Sequence, residues 1–186
     1  HWGANWNKGF DIYQKLDSLL NDSYWNNRIE FSYIGNLPKN FEFKNSTHIS
    51  PLSGIKLASK LKENHLYITA SKNEPSGNHH IEAAQCSLPI LFINSGGIPE
   101  YCNDYGLIFE ENNFEDKLNE IYENYEIYYN KILNYPFNAR KMCSEYLTLF
   151  NELNKRKNQI LEARNIKNLK TTNQYLFRLK NLKINK

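Results

Sequence analysis

The sequence predicts an α/β fold in which a parallel, doubly wound sheet is followed by C-terminal helices. Short apolar runs bounded by turn residues alternate with segments of helical apolar spacing. Their order, β–α–β–α–β–α–β, is closed into one parallel sheet by right-handed crossovers. The stretch Ser71–Tyr101 is a strand–turn–helix–strand–turn unit with polar residues and glycines at its turns, where parallel sheets place their ligands.

His1–Gly9 is a turn-like stretch rich in Trp, Asn and Gly. From Phe10 to Asn21, Ile12, Leu16, Leu19 and Leu20 mark the apolar face of a helix. Arg28–Gly35 alternates Ile29, Phe31 and Tyr33 as a strand, stopped by Gly35-Asn36-Leu37-Pro38. A short extended piece is expected at Thr47–Ile49. Ser50 then caps a helix to Asn64, with Pro51 in its first turn. His65–Ser71 is a strand, and a central helix opens near Asn78 and ends near Cys86–Ser87. The run from Ile90 to Asn94 is the next strand, closed by Gly96-Gly97. A helical turn at Ile98–Asn103 and a strand at Gly106–Glu110 follow. Asn113–Leu133 has one long helical pattern, Pro136 breaks it, and a further helix runs from about Phe137 to Leu153.

A chain of 186 residues with 40% hydrophobic residues has material for one core domain. No run approaches the ~18 apolar residues that span a bilayer, and no secretory leader pattern opens the sequence. The expected location is therefore cytoplasmic. The three cysteines, Cys86, Cys102 and Cys143, are odd in number and lack metal-ligand spacing, so they are expected as buried free thiols. Charge is asymmetric. Lys155–Lys186 carries ten basic residues against one acid, a net of +9, and the rest carries thirteen against nineteen, a net of −6. The expected organisation is a domain over 1–154 and a basic tail over 155–186. The tail's apolar residues Ile166, Leu169, Leu176, Leu179 and Leu182 have rough helical spacing, as in a helix lying on an anionic membrane surface; a solvated extension or a helix docked on a partner domain fits equally. The acidic body, with no basic aromatic stripe, excludes nucleic acid as the expected partner.

The central stretch carries the chemistry. The opening N–H groups of its helix, from about Gly77 to His80, lack intrahelical partners and lie at the positive end of the helix dipole, an arrangement that binds phosphate. Gly77 lets a ligand approach the backbone. Glu82 lies on the same face as His79 and Asn78, and its side chain leans toward the helix start. A carboxylate beside a bound phosphate is useful when it accepts hydrogen bonds from hydroxyls, as acids do with ribose. Glu74, in the preceding loop, is placed to hold a second hydroxylated group. Two acids around an anion seat point to a nucleotide diphosphate with a sugar at each end. Each acid alone is equally a solvated residue or a cap, and His79 and His80 equally exposed surface residues.

These residues resemble the donor half of the retaining GT-B glycosyltransferases of the group 1, or family four, class. Glu74 and Glu82 have the spacing of that family's E-x7-E pair. Glu82-Ala83-Ala84, Leu88-Pro89-Ile90 and Ser95-Gly96-Gly97-Ile98-Pro99-Glu100 resemble its following segments, and WNKGFDIY resembles its K-G segment. The resemblance covers about Trp2 to Leu153. It implies the Rossmann-like C-terminal half of a GT-B fold, without its first strand and without the acceptor domain. It further implies that Lys8 neutralises the departing diphosphate and that the backbone of Gly77, Asn78 and His79 holds the phosphates. Glu82 would hold the ribose and Glu74 the transferred sugar. Ser50 and Leu52 would border the base, and Gly96 and Gly97 would form a turn beside the pocket. A cation and a helix terminus stabilise leaving-group charge, so no metal or other cofactor is expected.

The sequence departs from the family in three places. No Arg precedes Lys8 within His1–Asn5, Ser76 stands before Gly77 where an aromatic is common, and Ser87 stands where Gly usually ends the central helix. A left-handed conformation at Ser87 would cost roughly 1 kcal/mol. The expected function is transfer of a sugar from a nucleotide-diphosphate donor, of hexosyltransferase type, with retention and an acceptor bound by a domain outside this chain. The alternatives are a non-catalytic nucleotide-sugar-binding subunit and a sugar-nucleotide epimerase of the same architecture.

Overall fold

The computed structural model describes residues 3–164. The 3-10 turn Trp6–Lys8 leads into α1 (Phe10–Leu19), a single turn α2 (Ser23–Asn26) and strands β1 (Ser32–Ile34) and β2 (Thr47–Ile49). Then come α3 (Gly54–Leu61), β3 (Tyr67–Thr69), α4 (His79–Gln85), β4 (Ile90–Ile93), α5 (Ile98–Cys102) and β5 (Gly106–Phe109). Helices α6 (Phe114–Glu123) and α7 (Tyr125–Ile132) complete a compact unit ending at Asn138. Helices α8 (Ala139–Lys155) and α9 (Lys157–Ala163) belong to a second unit that begins at Ala139. The apolar tail positions from Ile166 onward, with the membrane contact expected of them, lie outside the described residues.

Every strand pair is parallel, as expected of an α/β sheet. The ladders form two groups, β1–β2 and β3–β4–β5, with Tyr33 opposite His48, Ile68 opposite Leu91 and Phe92 opposite Ile108. β4 is central and buried along its whole length, which explains its unbroken Ile-Leu-Phe-Ile run. Its residues alternate between two cores. Leu91 and Ile93 join Phe10, Tyr13 and Leu16 of α1 and Leu118 of α6. Ile90 and Phe92 join Ala84 of α4, Ile98 of α5 and Ile132 of α7. Helices therefore cover both faces, and the period of two along the strand feeds both layers.

Asp17 fastens α1 to the segment before β2. Its buried carboxylate accepts from the backbone N–H of Lys44 and of Asn45, both at 2.9 Å, and from the Ser46 hydroxyl at 2.6 Å. Burial alone would raise its pKa, but the Ser46 hydroxyl and these N–H groups together hold it below the ordinary carboxylate value.

Several expected boundaries move, each for a local reason. The helix expected from Ser50 begins at Gly54 behind an extended Ser53, because Gly54 sits at φ +57 and a right-handed helix cannot run through it. Ser50, Pro51 and Leu52 are therefore loop. The single long helix expected over Asn113–Leu133 is two. Both the backbone N–H and the side-chain amide of Asn124 donate to Glu120 O, which ends α6 and turns the chain. The turn lets Phe114 and Leu118 fill the first core and Ile132 the second. The next helix opens at Ala139 rather than Phe137, because Phe137 packs edge-on against Tyr101 and Tyr135, and its carbonyl accepts from Gln85. Strand residues expected at Arg28–Phe31 and at His65 precede the ladders. Cys102 is buried, and burial pushes its thiol up to about 12, but Cys143 is exposed and Cys86 half-buried, so the three thiols are not all core groups.

Candidate functional site

The site is assembled at the C-terminal ends of β3 and β4. Gly9, at φ +91, lies so close to the end of β3 that a Cβ there would meet Ala70 at 2.4 Å. Lys72 N–H donates to Asn7 O at 2.7 Å. These two contacts pin the loop before α1 against the loop after β3 and carry Lys8 to Glu74. The Lys8 ammonium donates to Glu74 Oε2 at 2.5 Å, across 66 positions of sequence. Both side chains are mostly shielded, 25% and 14% exposed, so this pair is less screened than an ordinary surface ion pair.

The Gly96-Gly97 turn holds the Glu74 loop from behind. Gly96 sits at φ +61, where a Cβ would fall 2.3 Å from Glu74 O, and Gly97 N–H donates to the same carbonyl at 2.8 Å. Asn73 N–H is held by Ser95 Oγ at 2.9 Å. Gly96 and Gly97 thus position Glu74 through its backbone.

Gly77 is buried between Glu74 and His79, and a Cβ there would lie 2.8 Å from His79 Nε2 and 3.0 Å from Glu74 Cγ. Asn78 is the N-cap of α4 and exposed. His79 Nδ1 pairs with the Tyr67 hydroxyl at 3.1 Å. Burial, then neighbouring His80, then Lys8 depress the His79 pKa to about 3, so its ring is neutral at pH 7. His80 is fully buried against the rings of His79 and Tyr101, and burial lowers it to about 4 despite the attraction of Glu74. His80 is therefore a core residue, and of the two histidines only His79 borders the site.

A cavity of about 800 Å³ adjoins this cluster, and His79, Glu82 and Leu52 lie on its wall. Glu82 is an exposed residue of α4, and its N–H donates to Asn78 O. Lys8, Glu74 and Gly77 form one group, Glu82 and Leu52 another, and His79 touches both. Ser50 is exposed and is not part of that wall. The sequence did not single out Tyr67, which orients His79, or Ser95, which fixes Asn73. A tyrosine inside a strand pattern looks like ordinary core, and the contact with His79 spans twelve positions. The arrangement supplies a cation, a carboxylate paired to it, a close backbone approach at Gly77 and a second carboxylate on a cavity wall.

Comparison with known proteins bears on the family and the fold. The sequence profile described as glycosyl transferases group 1 matches residues 36–146. No curated protein matches the chain. Among solved structures, that of TarM superposes with a TM-score of 0.57 at 16% identity, covering 81% of this chain. The chain spans about a third of the length of TarM, 34% of it.

Proposed function

This chain belongs to the group 1 glycosyl transferases, and we propose that it forms the donor-binding half of one, holding a nucleotide-diphosphate sugar for transfer with retention and without a metal. The carrying observation is the Lys8–Glu74 pair beside Gly77. A diphosphate entering next to Gly77 competes with Glu74 for the Lys8 ammonium. When Lys8 turns to the diphosphate, Glu74 is released to accept hydrogen bonds from hydroxyls of the transferred sugar. One exchange of partners thus prepares both ends of the scissile bond. The Lys8 charge then stabilises the leaving diphosphate most as its negative charge grows.

The neutral ring of His79 adds no competing charge to this exchange and presents the seat as a hydrogen-bonding wall. Glu82, on the cavity wall with Leu52, receives the ribose, and Leu52 covers the base. Gly77, Asn78 and His79 contribute backbone groups to the phosphates. The acceptor is held by a further domain or subunit, and the basic tail contributes a contact with that partner or with an anionic membrane face.

The test is a thermal-shift screen with UDP-, GDP- and ADP-sugars. At least one is expected to raise the melting temperature. Lys8→Ala and Glu82→Ala are expected to reduce that shift while leaving the unliganded fold intact. If no nucleotide sugar shifts the wild-type chain, or if Glu82→Ala binds as well as wild type, the pocket assignment is wrong.

A further inference from the structure

The loops of Lys8 and Glu74 meet through a second ion pair of opposite polarity, and we propose that its cation, Lys72, is a positioning residue for donor binding: with Asp11 and Glu111 it keeps the two loops in register when a diphosphate draws Lys8 away from Glu74. The inference rests on the donor-binding reading for that last step. In the first pair the cation comes from the loop before α1 and the acid from the loop after β3. In the second the signs are exchanged. The Lys72 ammonium, from the loop after β3, donates to Asp11 Oδ2 in the first turn of α1 at 2.6 Å. Lys72 stands two positions before Glu74 and Asp11 three positions after Lys8, so both pairs bridge one junction. The Lys72 N–H bond to Asn7 O ties the backbones at the same place.

A third segment anchors this clamp to the sheet. Lys72 Nζ also lies 2.5 Å from Glu111 Oε1, and an ammonium has donors enough to serve two carboxylates at once. Glu111 follows β5 on a closed turn. There Glu110 N–H donates to Asn113 Oδ1 at 2.8 Å, and Asn113 N–H donates to Glu110 O at 3.1 Å. The side-chain amide of Asn94, just past β4, donates to Glu110 Oε1 at 2.9 Å. Lys72 therefore joins the start of α1 to a turn fixed on two paired strands. Hydrogen bonds to Asp11 and then to Glu111 raise the Lys72 pKa, so its ammonium is charged throughout the neutral range.

The clamp acts on placement rather than on global stability. Asp11 and Glu111 keep 41% and 60% of their side chains in solvent, and pairs so exposed contribute little to folding. Its effect is local. Asp11 Oδ1 is buried with no hydrogen-bond partner among the described residues, so the Lys72 ammonium is what offsets this carboxylate's charge. Without Lys72 the carboxylate turns toward water and takes the first turn of α1, next to Lys8, with it. Once a diphosphate engages Lys8, the Lys8–Glu74 pair no longer ties the loops, whereas the Lys72 contacts remain. A slip of about 1 Å between the loops is enough to misplace the cation.

The test has one arm without ligand and one with it, both on the full chain. In the first, hydrogen exchange reads the amide of residue 72, which bonds Asn7 O, against that of Gly97, which bonds Glu74 O. Lys72→Met is expected to lower the protection factor at residue 72 by about tenfold and to leave Gly97 unchanged. Lys72→Arg, which can still reach both acids, should keep the wild-type value. Asp11→Ala, which leaves residue 72 intact, should repeat the loss. In the second arm the dissociation constant is measured for whichever UDP-, GDP- or ADP-sugar binds the wild-type chain. Lys72→Met is expected to weaken binding by about tenfold in the wild-type background but by about twofold or less when Lys8→Ala is also present, because the register then has no cation to place. Lys72→Arg should restore affinity. Equal losses in the two backgrounds would mean that Lys72 acts independently of Lys8 and would overturn the proposal, as would unchanged protection at residue 72 in both Lys72→Met and Asp11→Ala. If no nucleotide sugar binds the wild-type chain, the donor reading fails by itself, and the ligand-free arm decides the clamp: lost protection supports it and retained protection overturns it.

Discussion

At the scale of single residues, three positions fix local geometry in the fold and the candidate site. Gly9 is required by a contact, since any Cβ would collide with Ala70 backbone and side chain. Gly9→Ala is expected to destabilise the fold by roughly 2–3 kcal/mol through the strained positive φ and the forced shift of β3. Chemical denaturation measures that loss, and a ligand thermal shift should fall with it because Lys8 moves. Asp17 is the second. Asp17→Ala strips the N–H groups of Lys44 and Asn45 and the Ser46 hydroxyl of their acceptor, at a cost of about 2–3 kcal/mol. The folded pKa of Asp17 lies below its unfolded value of about 3.9. Its contribution is therefore complete above about pH 4 and is lost as pH falls through the folded value. Wild type and Asp17→Ala should converge in stability in strong acid. Lys8 is the third, held by Glu74 beside Gly77.

At the scale of elements, helix α4 beside the candidate site is short and ends under strain. α4 has seven residues, and after it Ser87 sits at φ +64, the left-handed position that a glycine takes without penalty. Ser87 N–H still donates to Ala84 O at 2.9 Å, so the turn closes despite the side chain. Ser87→Gly is expected to stabilise the protein by up to about 1 kcal/mol, read as a higher denaturation midpoint with an unchanged slope. An unchanged or lower midpoint would show that the Ser87 hydroxyl contributes more than its backbone costs. The break at Asn124 has the opposite character. It is a built joint that lets α6 and α7 serve cores on the two faces of the sheet.

At the scale of the whole molecule, two shielded imidazoles are expected to make stability fall as pH falls. His79 and His80 have folded pKa values of about 3 and about 4, against about 6.5 in the unfolded chain. Between pH 6.5 and 4 the unfolded state therefore binds more protons, and stability falls as pH falls across that window. Each ring contributes a slope of about 1.4 kcal/mol per pH unit within it. His80→Leu is expected to halve the slope between pH 4 and 6.5, measured as unfolding free energy against pH. An unaltered slope would mean that other groups control acid unfolding.

The alternation of apolar runs, the strand–turn–helix unit at Ser71–Tyr101 and the two acids eight positions apart were legible in the sequence because they are local patterns. Periodicity reports which face is buried, and turn residues report where the chain must bend. The helix start at Gly54 and the joint at Asn124 were not legible, because a backbone dihedral and a side-chain hydrogen bond there override apolar spacing. Nor did the sequence show His80 as a buried core group or Tyr67 as the partner of His79. Those depend on contacts between distant segments. The sequence by itself determined the class of fold and the chemical character of its central loop. Only the tertiary structure decided that Lys8 meets Glu74 across 66 positions, because Gly9 against Ala70 and Gly96 against Glu74 bring two loops within van der Waals contact where no side chain would fit.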